Sequence, residues 1–289
     1  MTITKRAALL ATELRQVRSK ATGRDYRISI ALPFACVDDS IDIRFFKPLD
    51  AWPVVYLLDS DWFFGMITDT VRIMAWCGRT TDAIVVGIGY PEEDSIGETW
   101  RKGFAGRTQD LTPMHSETSE KYNSELVKLD VKTGGGGNFY KFIKQELIPL
   151  IDREYRTDPA KRILAGHSHG GLFTLFAMFQ DPGLFSNYIA SSPSLNFAEK
   201  AMFSLESGYA KKHKSLPAQL FLSAGELEED LDTTDLTDMY RFAALLESRK
   251  YKGFSLTKQV FLDNDHCEVA ALAFQAGLKH ALKKEGSGS

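Results

Sequence analysis

Short apolar runs alternate along this chain with stretches whose apolar residues recur every three or four positions, the pattern of strands interleaved with helices. Residues 12–32 read as strand, turn, strand: TELRQVRS, a turn at which Gly23 can take a positive φ, then DYRISIAL with Tyr26, Ile28 and Ile30 alternating. This predicts an antiparallel entry to a sheet. PVVYLL (53–58) and AIVVGIGY (83–90) are apolar on both faces, as central parallel strands are, and 63–76 predicts a helix between them.

The pattern lapses over 91–137, which carries charges, Gly106 and finally four consecutive glycines, Gly134 to Gly137. A structureless stretch of that length inside a domain is usually a lid, a binding loop or disorder, so an excursion hinged at the glycines is expected. Asn138 is expected to cap a helix bearing Phe139, Phe142, Ile143, Leu147, Leu150 and Ile151 at helical spacing. Strands follow at 163–165, 187–191, 218–225 and 258–264, and helices at 172–179, 198–205, 239–248 and 268–283. The alternation predicts one α/β domain over 1–285: a mostly parallel twisted sheet with antiparallel N-terminal strands and helices on both faces. The closing GSGS, 286–289, is expected to be a tail or linker scar.

Composition narrows the function classes. The chain has 289 residues, 44% apolar and 25% charged, with a formal net charge of -3. That balance suits one large core and offers no basic surface for nucleic acid or anionic lipid. Three scattered cysteines, Cys36, Cys77 and Cys267, make neither a disulfide framework nor a metal site. AALLA near the start is shorter than a signal-peptide core, and no run is long enough to span a bilayer, so a cytoplasmic protein with reduced thiols is expected.

The candidate chemistry centres on RILAGHSHGGLF, 162–173, in which Gly166, Ser168 and Gly170 form a G-x-S-x-G pattern between an apolar strand and an apolar helix. A sharp turn there lifts a serine oxygen above the sheet edge, and small neighbours let strand and helix pass closely. A serine needs a base, and His266, after a strand end and before the last helix, is the best placed of six histidines. His115 lies in the excursion, His213 and His280 read as surface, and His167 and His169 flank the serine in a turn that points them away. The pair is expected to pack and line the rim rather than to bind a metal. An acid should fall between serine and histidine in chain order, which points to GELEED (225–230) and, within it, Glu228, with Glu226, Glu229 and Asp230 as fallbacks. The oxyanion donors expected by position are the backbone N–H of His169 and, from the loop after VVYLL, of Asp61. The Asp61 carboxylate must then turn away or pair.

VVYLLDSDWFF, RTQDLTP, the glycines before FYKFIKQELIPLIDREYR, RILAGHSHGGLF and IASSPSLNF occur in that order, and the set resembles the putative-esterase branch of the α/β-hydrolase superfamily, within it the siderophore esterases. The similarity runs from about residue 12 to 266. It implies an α/β-hydrolase fold and a serine carboxylic-ester hydrolase acting, through an acyl-enzyme, on a trilactone siderophore. Such substrates are enterobactin-like catecholates or fusarinine-type hydroxamates, cleaved inside the cell to release iron. It carries over Ser168, Glu228 and His266 as triad and Asp61 and His169 as oxyanion positions, although some relatives work with serine and histidine alone. No metal or organic cofactor is implied, and the partner is a small-molecule ester. Candidate substrate contacts are Trp62, Trp100, Arg101, Arg107, His115, Asn196 and Phe197. The chain departs from the family at Ser60, where relatives commonly have glycine, and at Asn196 and Phe197, where they have tryptophans, which bears on pocket shape and polarity. A feruloyl or general carboxylesterase, a thioesterase and an acyltransferase remain open on the same fold, as does a noncatalytic binding protein.

Overall fold

A computed structural model describes residues 8–38, 48–229 and 235–284; the tail expected at 286–289 lies outside them. An eight-stranded sheet runs β1 (Thr12–Arg18), β2 (Asp25–Ala31), β3 (Trp52–Leu57), β4 (Ile84–Gly89), β5 (Thr157–His167), β6 (Asn187–Ser191), β7 (Gln219–Gly225) and β8 (Ser255–Phe261) along the chain. Their order in space is β1-β2-β4-β3-β5-β6-β7-β8. β1 pairs antiparallel with β2 and β2 with β4, and every later pair is parallel. This is an α/β-hydrolase fold.

Alternation along β3 assigns the two faces. Val54 and Tyr56 enter one core with Phe173, Phe142 and Phe242, from helices α7 (His169–Gln180), α5 (Gly136–Phe142) and α9 (Asp235–Arg249). Val55 and Leu57 enter the other with Ile67 and Val71 of α2 (Ser60–Trp76) and Phe274 and Leu278 of α10 (Val269–Ala281). Parallel pairing brings the carboxyl ends of six strands, β3 to β8, to one rim: Gly87 lies beside Leu57, Leu57 beside Ala165, His167 beside Ser191, and Gly225 beside Phe261. Beyond a short turn, α1 (Phe34–Val37), the other helices among the described residues are α3 (Ile96–Asp110), α4 (Glu117–Val127), α6 (Ile148–Glu154) and α8 (Phe197–Lys212), with one turn of π-helix, Ile143–Leu147, between α5 and α6.

The expected excursion is helical. Most of 91–137 forms α3 (Ile96–Asp110) and α4, each opened by a serine whose side chain accepts a backbone N–H, Ser95 from Glu98 and Ser116 from Ser119. Two buried charged groups fix α3 to the sheet. Asp110 takes the hydroxyls of Tyr26 and Tyr90 at 2.8 and 3.2 Å and the Arg24 guanidinium at 2.9 Å, and Arg107 holds Asp59. The glycine run is packed rather than hinged: a Cβ on Gly135 or Gly136 would meet the carbonyl oxygen of Gln109 or Thr112 within 3 Å. Gly135, not Asn138, is the residue preceding α5. α8 also departs from the pattern, because Ala198, Glu199 and Lys200 are left-handed, with φ of 47, 54 and 63°.

Candidate active site

The strand-to-helix turn after β5 holds Ser168 at φ 58°, ψ -121°, a region that L-residues avoid and that persists only where surrounding structure enforces it. Its N–H donates to Ser191 O at 3.0 Å, and its carbonyl accepts from Leu172 and Ser194. The flanking glycines are steric necessities. A Cβ on Gly166 would lie 2.3 Å from Gly170 O, one on Gly170 3.0 Å from the Asp59 carboxylate, and one on Gly171 2.8 Å from Ser191 O. Ser168 Oγ lies 3.4 Å from Ser194 Oγ, its hydrogen-bond partner among the described residues.

The loops after β7 and β8 are joined tightly enough to set an acid against a histidine. Leu227 N–H donates to Asn264 O at 3.0 Å and Glu226 N–H to Phe261 O at 2.9 Å, and a Cβ on Gly225 would meet Asn264 O at 2.2 Å. Glu228 Oε2 then accepts from His266 Nδ1 at 2.7 Å, while Oε1 accepts from Ser192 Oγ and Gly225 N–H, both at 2.6 Å. Burial opposes a charged Glu228, but these three donors outweigh it and hold its pKa below the usual carboxylate value. Burial likewise opposes a charged His266, but the Glu228 hydrogen bond and the charges of Glu228, Asp235 and Asp265 outweigh it and raise the pKa. Asp265 Oδ1 accepts the N–H of Cys267 and Glu268, which shapes the turn that presents the imidazole. Of the fallback acids, Glu226 and Glu229 are exposed and accept backbone N–H groups of Asp263 and Thr237. Asp230 lies outside the described residues.

His167 and His169 differ from His266. His167 is buried, its Nδ1 is 3.0 Å from Ser191 Oγ, and its ring packs 4.6 Å from that of His266. His169 sits edge-on to Phe197 with Nδ1 shielded and unpartnered. Burial pushes both pKa values down to about 3, aided at His167 by the His266 charge and at His169 by Arg107, so both rings are neutral at ordinary pH. Their backbone positions matter more. His169 begins α7 and Asp61 sits in the first turn of α2, where N–H groups lack helical acceptors and the helix dipole favours negative charge. The Asp61 carboxylate is paired, with Arg27 and, at 3.1 Å, the Tyr90 N–H.

Among the expected substrate contacts, Arg107 is buried, its Nε and Nη2 bonded to Asp59 at 2.6 and 2.9 Å, so the guanidinium braces the turn before α2. Trp62, half exposed, lies 5.3 Å over it, and Phe104 5.8 Å. Trp100 is exposed and stacks on Phe104. Phe197 is buried against His169, and Asn196 is exposed. His115 is exposed and bonded to Glu120 at 3.0 Å, and Arg101 is half-buried on α3, with no contact tying either to Ser168. Ser192, Ser194, Asp59 and Asp235 join the site without a motif that marks them. The first two follow the end of β6, so their place at the rim was the available signal. Among the described residues, Glu228, Asp235 and His266 each offer an atom within 4.8 Å of the others. Two of these already share the 2.7 Å hydrogen bond.

Strained serine, neutral flanking histidines and a carboxylate-held histidine, at the carboxyl rim of the parallel strands, define an α/β hydrolase with a nucleophile elbow. Residues 19–262 match the family described as Putative esterase, and the chain belongs to that family. It is 28% identical over 283 residues to the ferri-bacillibactin esterase BesA of Bacillus subtilis, covering 95% of this chain and 91% of that one. It is 32% identical over 145 residues to the siderophore triacetylfusarinine C esterase of Aspergillus fumigatus, covering 50% and 44%. The crystal structure of the BES protein from Bacillus cereus superposes with a TM-score of 0.78 at 26% identity, covering 98% and 99% of the two chains.

Proposed function

We propose that the chain is a serine esterase that opens the ester bonds of a trilactone siderophore, of the enterobactin-like or fusarinine type, and so releases iron in the cytoplasm. The observation that carries the substrate class is the match along 95% of the chain to a ferri-bacillibactin esterase. The mechanism draws its support from the Glu228–His266 contact beside a strained Ser168. Three unpaired thiols fit a reducing compartment, and among the described residues no helix is long and apolar enough to cross a membrane.

In this reading Ser168 Oγ attacks the ester carbonyl as its proton passes to His266 Nε2, which substrate binding brings within hydrogen-bond reach. Glu228 holds Nδ1–H, fixing the tautomer, and its charge stabilises the imidazolium. The oxyanion lies between the N–H groups of His169 and Asp61, each contributing about 3 kcal/mol. Collapse expels the alcohol, which takes the proton back from Nε2. Water, deprotonated by His266, then attacks the acyl carbon; the acyl C–Oγ bond breaks, Ser168 Oγ takes the proton back from Nε2, and the hydroxy acid is released. Exposed Trp62 and Trp100 offer the substrate an aromatic surface, Phe197 backs it from beneath through His169, and Asn196, Arg101 and His115 are its polar candidates.

The test is a turnover comparison by mass spectrometry among a trilactone siderophore, feruloyl esters and acyl thioesters. The trilactone should be opened to linear and monomeric hydroxy acids with the highest kcat/KM. Preference for either rival ester contradicts the assignment.

A further inference from the structure

His266 faces a second carboxylate. Asp235 opens α9, and one of its oxygens lies within 4.8 Å of both a Glu228 oxygen and a His266 ring nitrogen. Glu228 already has three donors within 2.7 Å. Asp235 Oδ1 is shielded from solvent and accepts no hydrogen bond. Leaving a carboxylate oxygen in that condition is unfavourable unless a positive charge forms beside it. Such a charge forms at His266 when it takes the Ser168 proton.

We propose that Asp235 is a positioning residue for His266, a second carboxylate that acts with Glu228 to stabilise the imidazolium formed as Ser168 loses its proton. The inference rests on the roles given above to Ser168 and His266. In the step it assists, the Ser168 O–H bond breaks, the Oγ–acyl carbon bond forms, the carbonyl electron pair moves to the oxyanion and the proton goes to His266 Nε2. Asp235 takes no proton. Its effect is electrostatic and acts through the imidazole.

The surrounding charges set its pH range. His266 is faced by Glu228 from the β7 loop, Asp235 from α9, Asp265 from its own turn and the neutral His167 from β5. Burial raises the Asp235 pKa to about 6; His266 lowers it, and Glu228, Asp238 and Glu229 raise it. Asp235 is therefore charged at neutral pH and loses its charge as pH falls through about 6, below the raised pKa of His266. Removing the Asp235 charge lowers the proton affinity of His266. The acid limb of reactivity then moves to lower pH, and the plateau falls because the imidazolium has lost a partner.

The rate at which a fluorophosphonate labels Ser168 in the full chain, followed from pH 4 to 9, reads His266 without reference to any siderophore. Asp235→Asn, nearly isosteric, should move the acid limb down by about half to one pH unit and slow the plateau about 3- to 10-fold. Asp235→Glu should restore both, and Asp235→Ser should repeat the Asn result. A merely structural Asp235 would change stability and leave the midpoint in place. Labelling of folded Asp235→Asn and Asp235→Ser with unshifted limb and plateau overturns the inference. A folded wild type that the probe does not label at Ser168 overturns the serine mechanism beneath it, which is a different result.

Discussion

Glu228 differs from its acidic neighbours in what its oxygens accept: a histidine Nδ1, a serine hydroxyl and a backbone N–H, against single backbone contacts for Glu226 and Glu229. Glu228→Gln is expected to lower kcat about 10²- to 10⁴-fold, while Glu226→Gln and Glu229→Gln stay within a few-fold of wild type; equal effects would remove Glu228 from the mechanism. His266 must be neutral to act as base, and its pKa is raised. As pH falls, kcat/KM should therefore fall with a midpoint above the ordinary histidine value of about 6.5, a direction that a pH–rate profile checks. At this scale the sequence is partly legible. Chain order and strand ends lead to Ser168, His266 and the 225–230 run. A choice among four carboxylates within six residues depends on the Gly225–Asn264 approach, a long-range contact that leaves no local pattern. Asp235 and Arg107 are obscured for the same reason, because their partners are distant in sequence.

The elbow and α3 are the elements on which the site depends. Gly166→Ala would set a methyl against Gly170 O at 2.3 Å, backbone against backbone, so strand and helix must separate. A loss of about 2 kcal/mol or more in urea unfolding is expected, with activity falling together with stability; a variant as stable and active as wild type would contradict the close-packed elbow. For α3, whose Arg107 is held by Asp59 in the turn before α2, Asp59→Asn keeps a residue that tolerates φ 53° but leaves the buried Arg107 charge unpaired. It should cost about 3–5 kcal/mol, and Asp59→Asn with Arg107→Gln should recover much of that. Additive losses in the double variant would show that the two side chains are independent. The polar composition of 91–137 suggests a mobile excursion, yet its serines cap helices and its glycines permit close packing. Glycine runs carry both readings in sequence, and only the neighbouring backbone separates them.

At the scale of the molecule, the apolar runs at 53–58, 83–90 and 187–191 and the alternation at 25–32 are enough to outline a mostly parallel sheet with an antiparallel entry. Strand order is not in those patterns. β4 lies between β2 and β3, an arrangement set by crossovers and packing rather than by any single segment. That order gathers the ends of β3, β5, β6, β7 and β8 into one rim and gives Ser168, Glu228 and His266 a common address. Exposed Trp62 and Trp100 stand on the two helices joined by the Arg107–Asp59 pair, an aromatic surface that suits a siderophore better than a small polar ester. Opening of a trilactone through an acyl-enzyme at Ser168 leaves a trace that can be trapped. Rapid acid quench of the chain with a trilactone siderophore, followed by peptide mass mapping, tests it most directly. An acyl adduct of the ring-opened hydroxy acid is expected on the peptide carrying Ser168, absent in Ser168→Ala, which should also lose turnover. Undiminished trilactone hydrolysis by Ser168→Ala, or an adduct on another residue, would contradict it.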